Sequence, residues 1–553
     1  MRKTLAAILT VLLIATAFGT VSVAEALPAA AIDSLTIYKG ATINNMDYTT
    51  NTASASFAVF AYTGEGLYKW ATDGSKLVLG LADTEDISED GLTRTYHIRD
   101  DAYYSNGTKI TANDFEYAWK RLADPATAAE YASMTEFAGL KNAAAVCAGE
   151  MGVDELGVKA TDESTLVVTL DTPVNFFPSL MTFATFFPLN QAFVEAAGDQ
   201  FGLSIETTLC SGPYQLTEWT AGGTTESVER NPYYYALSDL TVNTITWQII
   251  TEVSSGVMGY EQGTLDVMEL TSEFVSQYKD NPGFHSLLQS TIYWLQYYCG
   301  DGSPFADMNL RLAFSYAINK QAICDNILKD GSIPANFYFP TQFQPLSGGG
   351  TIRDYAAELG YGDDGQGHYL FEDDAKAAEY FEAYKAAAGV DKVEIELIFT
   401  NTDTYNYVSA YLKQELESAL PGLTLNLQPL ESNDRIARSK AGDYQVVMGG
   451  WGADYQDASN FVMLDTSDSA FNYGKWVSVD NAYDALNAKY LGEDATDEYA
   501  RAKDMLDMEK ILLTEGAKTP LWQKATCYLI RPDYNVPMTS VGGWLYQYTT
   551  AAN

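Results

Sequence analysis

The sequence predicts an α/β protein of at least two domains, and three observations carry that prediction. The chain has 553 residues, more than a single hydrophobic core of about 250–300 residues sustains. Residues 373–450 alternate helical and strand periods, the pattern of a mostly parallel sheet with helical crossovers. Hydrophobic residues make up 47% and charged residues 19%, the balance of a globular chain rather than a disordered one.

The elements can be justified in chain order. MRKTLAAILTVLLIATAFGTVSVAEA opens with Arg2 and Lys3, continues as an apolar run from Leu5 to Phe18, and ends at Ala24-Glu25-Ala26. That three-part pattern predicts a secretory signal peptide over residues 1–26, and the run is short for a membrane span. The first cysteine is Cys147, so lipid attachment at a cysteine after the apolar run is not expected. Strand-like alternation follows at 93–98, 165–170 and 245–250. In TANDFEYAWKRLADP (111–125), Thr111 and Asp114 form a capping pair. Phe115, Ala118, Trp119 and Leu122 share one face, and Pro125 ends the helix. A second helix is predicted over about 309–328. Then come a helix over DDAKAAEYFEAYKAAAG, a strand at 392–399, a helix to Leu420, a strand at 423–427, a short helix and a strand at 444–450.

The composition excludes several functions. A formal net charge of -40 opposes binding to nucleic acid or to an anionic membrane surface. Only His97, His285 and His368 are present, too few and too scattered for a histidine metal site or catalytic triad. No phosphate-binding loop, nucleophile elbow or zinc-protease motif occurs, and no cofactor is expected. The acidic run 361–374 lacks the alternation of a calcium loop and reads as a solvated loop. The five cysteines are widely spaced and odd in number. Most read as small buried hydrophobes, with one or two bridges left open. The 38 tyrosines, 24 phenylalanines and 9 tryptophans suit a wet binding surface as well as a core.

GGWGADYQD (449–457) holds Asp454 in a glycine-rich apolar stretch whose nearest basic residues are Lys440 and Lys475. The ordinary reading is a solvated loop carboxylate or a helix N-cap. The functional reading is an anion that awaits a cation from a ligand. In open α/β sheets, ligands bind beyond the carboxyl ends of strands, and this stretch is expected to begin where a strand ends.

Seven segments in collinear order carry a resemblance. DDAYYSNGTKITANDFEYAWKRLADPATAAEYAS (100–133), ELGVKATDESTLVVTLDTPVNFF (155–177), SGPYQLTEW (211–219), ERNPYYY (229–235), YEQGTLDVM (260–268), PFADMNLRLAFSYAINKQAI (304–323) and GWGADYQDASNFV (450–462) together resemble the extracytoplasmic solute-binding proteins of ABC importers, peptide/nickel-binding branch, and oligopeptide-binding proteins within it. Two departures stand out: Ala458 replaces a proline of the family pattern, and Gly452 stands where some relatives carry a cysteine.

The resemblance implies a two-lobe, hinged, periplasmic-binding-protein-like α/β fold with an extra inserted domain. It implies lobe I from 33–66, 200–289 and the return segment 541–553, the inserted domain at 67–199, and lobe II at 290–540. It implies a non-enzymatic monomer, exported to the periplasm or cell surface, that captures peptides in an interlobe cleft and delivers them to an ABC permease with its ATPase. Asp454 would receive the peptide α-ammonium. Gly450, Trp451, Gly452 and Tyr455 would line the ligand, Arg438 or Lys440 would meet its carboxylate, and Trp544 and Tyr546 would cover it. An oligosaccharide, an opine or a nickel chelate on the same fold is the nearest alternative. A peptide sensor or chaperone on this fold is another, and a secreted peptidase is disfavoured by the absence of a catalytic constellation.

Overall fold

The computed structural model describes residues 30–539 and 543–552. The expected signal peptide therefore lies outside the described residues, as do 540–542 and 553. The chain forms two compact units, Met1–Glu269 with Leu529–Asn553, and Leu270–Tyr528.

In the first unit, Ile32–Lys39 runs parallel to Val242–Ile249 over seven paired positions. Thr225–Arg230 and Tyr214–Glu218 extend that sheet antiparallel. A separate antiparallel sheet has the order Ala82–Ile87, Thr93–Ile98, Thr165–Thr169, Val158–Ala160. The helix Ala112–Ala123 packs on it. Thr111 and Asp114 form the capping box that the sequence suggests, so the first free N–H groups are satisfied before the helix turns its apolar stripe inward. That stripe is Phe115, Ala118, Trp119 and Leu122, all buried. Trp119 Nε1 donates to the Phe186 carbonyl at 2.9 Å, which satisfies the one polar atom the stripe buries.

In the second unit, Val393–Thr400 pairs in parallel with Leu423–Leu430 along its whole length. The helices Asp374–Ala388, Asp403–Ala419 and Ser432–Ala441 connect and flank these strands. Ile395, Leu397, Phe399, Leu412 and Met448 contribute to one buried cluster. Val446–Gly452 is parallel to Val393–Thr400 on one side and antiparallel to Phe284–Tyr297 on the other. The sheet is thus mixed where a mostly parallel one was expected, because the return strand Phe284–Tyr297 comes from a distant part of the chain.

Two further expectations change. The helix expected over 309–328 stops at Tyr316. Asn319 then caps a new turn, its side chain accepting from the Ala322 N–H at 2.8 Å. The break lets the buried Lys320 amine reach the carbonyls of Ala335 and Leu370 and the Asn336 Oδ1. The strand expected at 444–450 runs instead from Val446 to Gly452, since its ladder with Phe284–Tyr297 continues to the pair Thr291–Gly452.

The chain leaves the first unit between Glu269 and Leu270 and re-enters it between Tyr528 and Leu529. Residues 291–297 are committed to the second unit by their pairing with Val446–Gly452. Residues 530 and 531 are committed to the first by hydrogen bonds from Tyr260 Oη to the Ile530 carbonyl and from the Arg531 N–H to the Asp266 carbonyl. All five cysteines are unbridged, and Cys210, Cys324 and Cys527 are buried. Among the described residues, no helix is long and apolar enough to cross a membrane.

Candidate functional site

The strand Val446–Gly452 positions the candidate site within the second unit. Its pairing with Phe284–Tyr297 covers every residue from Val446 to Gly452. On its other side, pairing with Val393–Thr400 stops at Val447. Among the described residues, Met448 to Gly452 therefore present an open strand edge, a row of main-chain donors and acceptors without a ladder partner. Gly450 and Gly452 are exposed and Trp451 is half-buried. A Cβ on Gly450 would come within 2.7 Å of Tyr293 Cδ1 and 2.9 Å of the Ile292 carbonyl oxygen. Only glycine leaves the backbone unshifted there.

Just past the strand, the chain turns through Ala453 and Asp454. Asn460, fully buried, organises the turn. Its Oδ1 accepts from Trp451 Nε1 at 2.8 Å and from the Asp454 N–H at 3.2 Å. The Asp454 side chain is half-buried. Burial raises its pKa above the usual carboxylate value, and the Asn460 side chain opposes that shift. Among the described residues, no cation lies within ion-pair distance of it. The turn is pinned from behind by Asp457, whose carboxylate accepts from Arg501 Nη1 at 2.5 Å and Nη2 at 2.6 Å, with both side chains buried. Asp457 Oδ1 also accepts from the Ser459 N–H at 3.0 Å. Gln344 Oε1 accepts from the Ala458 N–H at 2.8 Å.

The other expected site residues fall in different surroundings. Trp451 meets Phe471 edge-on, with centroids 5.5 Å apart. Tyr455 is buried, its hydroxyl 3.3 Å from Ser459 Oγ, so its ring serves the core beneath the turn. Arg438 is paired twice, with Glu396 at 2.7 Å and Asp443 at 3.0 Å. Lys440 is exposed. Trp544 and Tyr546 belong to the first unit. There the Trp544 carbonyl accepts from Tyr62 Oη at 3.2 Å, and Tyr546 stacks on Tyr62 at 6.3 Å.

Sequence reasoning missed Arg435, one helical turn before Arg438. Its Nε donates to Thr400 Oγ1 at 3.0 Å. Its Nη1 lies 3.8 Å from the position a Cβ on Gly449 would take, so it stands beside the open edge. Sequence reasoning also missed Asn460 and the Asp457–Arg501 pair, which are legible only once the turn is seen in three dimensions.

An α/β chain of two compact units with a glycine-rich open strand edge and an unpaired carboxylate at its end belongs to the class of ligand-binding proteins. The comparisons with known proteins give the family. Residues 76–473 match the bacterial extracellular solute-binding proteins, family 5, and the chain belongs to that family. It is 30% identical over 458 residues to a dipeptide-binding protein of Lactococcus lactis subsp. cremoris, covering 80% of this chain and 81% of that one. It is 28% identical over 481 residues to the periplasmic oligopeptide-binding protein OppA of Haemophilus influenzae, covering 85% and 84% of the two chains. Among solved structures, OppA of Listeria monocytogenes bound to peptide matches with a TM-score of 0.74 at 29% identity, covering 94% of this chain and 99% of that one. The fold is therefore the two-lobe α/β fold of these binding proteins.

Proposed function

We propose that the protein captures peptides outside the cytoplasm and delivers them to an ABC permease driven by its ATPase subunits. The observation that carries this reading is Asp454, a half-buried carboxylate without an ion pair at the end of an open strand edge. An extended peptide supplies what this arrangement lacks. Its α-ammonium neutralises the desolvated carboxylate, and its main chain adds a strand to Met448–Gly452. Strand addition is indifferent to side-chain identity, which suits a binder of many peptides. A neutral sugar would leave the carboxylate unpaired, at a cost. The peptide-binding names of the relatives support the same ligand class.

In this reading residues 1–26 are removed on export, residues 67–199 form an inserted domain carrying the four-stranded antiparallel sheet, and the monomer binds without chemical change to its ligand. Native mass spectrometry of the purified protein tests it. Bound peptides with free N-termini are expected, and they should be recovered intact after incubation. A co-purified sugar or metal chelate, or cleavage of added peptides, would overturn the reading.

A further inference from the structure

The strand Leu423–Leu430 forms the outer border of the sheet in the second unit, with Val393–Thr400 as its one ladder partner among the described residues. Leu423 and Leu425 are buried, Thr424, Asn426 and Gln428 are exposed, and the strand carries no charged residue. A strand of eight residues with one side unpaired is ordinarily a template for any extended chain, because half of its main-chain groups point away from the sheet.

The direction of those groups can be read from their partners. The Leu430 carbonyl accepts from the Asn401 N–H and the Gly422 carbonyl from the Val393 N–H, so the even-numbered residues face the neighbouring strand. Leu423, Leu425, Leu427 and Pro429 therefore turn their main chain outward. The Leu423 N–H donates to the Leu420 carbonyl at 3.0 Å, and Pro429 has no N–H to offer. Both groups of Leu425 are held by side chains. Its N–H donates to Glu417 Oε1 at 2.9 Å, and its carbonyl accepts from Lys413 Nζ at 2.6 Å. Lys413 and Glu417 stand one turn apart on the helix Asp403–Ala419 and also bond each other. The Lys413 ammonium and the Leu425 N–H hold the Glu417 carboxyl below its usual pKa, so the ionised form that accepts these bonds persists on acidification. Among the described residues, this leaves Leu427 as the one outward position whose N–H is open to an incoming strand.

The open edge at Met448–Gly452 has no comparable side-chain cover among the described residues. The two edges of one sheet are thus treated oppositely, and the covered one needs an occupant to exclude. Two copies of this chain, each with a formal net charge of -40, repel one another before their edges meet. An extended peptide meets no such barrier at an uncharged border.

We propose that Lys413 and Glu417 close the outer border of the sheet to extended peptides, which confines strand addition to Met448–Gly452 and the ligand to one per chain. This rests on the peptide-binding reading above. The two side chains occupy the donor and the acceptor that a peptide would use in the middle of the border. Each brings a charge to its hydrogen bond, which makes it a stronger partner than a neutral peptide group.

The test compares wild type with Lys413→Ala/Glu417→Ala. The probe is a short peptide of uncharged side chains with a free N-terminus and a photoreactive diazirine leucine, applied at saturation. Native mass spectrometry counts the bound copies, and peptide mapping locates the crosslinks. Wild type should bind one copy and crosslink around Met448–Gly452. The double variant should keep that site with affinity unchanged within about twofold. It should also bind a second copy, with crosslinking over 423–430 raised about tenfold or more. Hydrogen exchange at the Leu425 amide should quicken about tenfold or more in the double variant. Glu417→Gln should stay closed on both readouts, because its amide oxygen still accepts from the Leu425 N–H. Glu417→Ala alone frees that N–H with less change to the helix and carries the same expectation if the double variant does not fold. Crosslinking of wild type over 423–430, or an unchanged Leu425 exchange in the variants, overturns the inference. So does a freely exchanging variant that still binds one peptide, and in each case binding at Met448–Gly452 stands. Self-association of the variant without peptide also overturns it, since the border would then be closed against a second copy. If wild type binds no peptide anywhere, the peptide-binding reading fails first and the inference with it.

Discussion

Asp454→Asn removes a charge while preserving shape, and its effect on peptide binding can be worked from the site. An exposed ion pair is worth at most about 1 kcal/mol, and breaking a buried one costs about 3–5 kcal/mol. Asp454 is half-buried, its pKa raised by desolvation, so the free protein already bears part of the cost of dehydrating the carboxylate. An arriving ammonium collects that as binding energy. The expected loss is about 2–4 kcal/mol, roughly thirty- to a thousandfold in affinity. Acetylating the N-terminus of the peptide deletes the same interaction from the other side. Calorimetry on the four combinations of protein and peptide should therefore give losses that do not add. The pH dependence has a definite sign. If the peptide ammonium pairs with the ionised carboxylate, affinity should fall as pH drops through the raised pKa of Asp454, at a higher pH than a fully solvated aspartate would give, and the Asn variant should lack this fall. Stability moves the other way. A group whose pKa is raised by folding costs stability once pH exceeds that pKa, so Asp454→Asn should melt at or above the wild-type temperature near neutral pH. Undiminished binding of acetylated peptide to wild type, or losses that add in full, would refute the pairing.

Other outcomes follow from neighbouring residues. Asp457→Asn breaks a bidentate pair with buried Arg501 and should cost about 3–5 kcal/mol of stability, visible as a lower denaturation midpoint. A drop under 1 kcal/mol would show that the pair is not holding the turn. Gly450→Ala places a Cβ against Tyr293 and the Ile292 carbonyl and should weaken peptide binding about tenfold or more by displacing the edge, whereas unchanged affinity would mean that the main chain of the edge is not the docking surface. Lys320 is fully enclosed, and burial pushes its pKa down to about 7. Above that pH the unfolded chain holds a proton that the folded one has shed, so wild type should gain stability relative to Lys320→Met as pH rises from about 7 toward 9. Parallel pH profiles of the two denaturation midpoints would contradict it.

What the sequence revealed and what it hid divide along a physical line. Local periodicity carried the helix Ala112–Ala123 with its capping box, and the alternation from Asp374 to Val446, because caps and apolar stripes are set by residues three or four apart. The break after Tyr316 was hidden, since it depends on where Lys320 finds acceptors at Ala335, Asn336 and Leu370. The antiparallel partner of Val446–Gly452 was hidden for the same reason, lying some 150 residues earlier in the chain. In the candidate site, Asp454 was conspicuous because its own neighbourhood offers no cation. Arg435 and Arg438 were indistinguishable in sequence. Only the structure shows that Glu396 and Asp443 occupy the second and leave the first beside the edge.

Asp454 and Asp457 sit three residues apart in one turn and meet opposite fates, and the contrast explains how the turn can hold an unpaired charge. Asp457 is buried and neutralised by Arg501, with a further hydrogen bond from the Ser459 N–H. Such a pair adds little net stability over apolar packing, but it resists rearrangement because separating the partners is costly. Asn460 ties Trp451 to the Asp454 main chain through a single oxygen, fixing the direction from which the second carboxylate emerges. Were the turn loose, Asp454 would swing into water and recover its hydration, and nothing would be left for a ligand to gain. The stability held in Asp457 and Asn460 is thus what keeps Asp454 dehydrated, and an Asp457 variant that still folds should bind peptide more weakly although Asp457 itself faces Arg501 rather than the open edge.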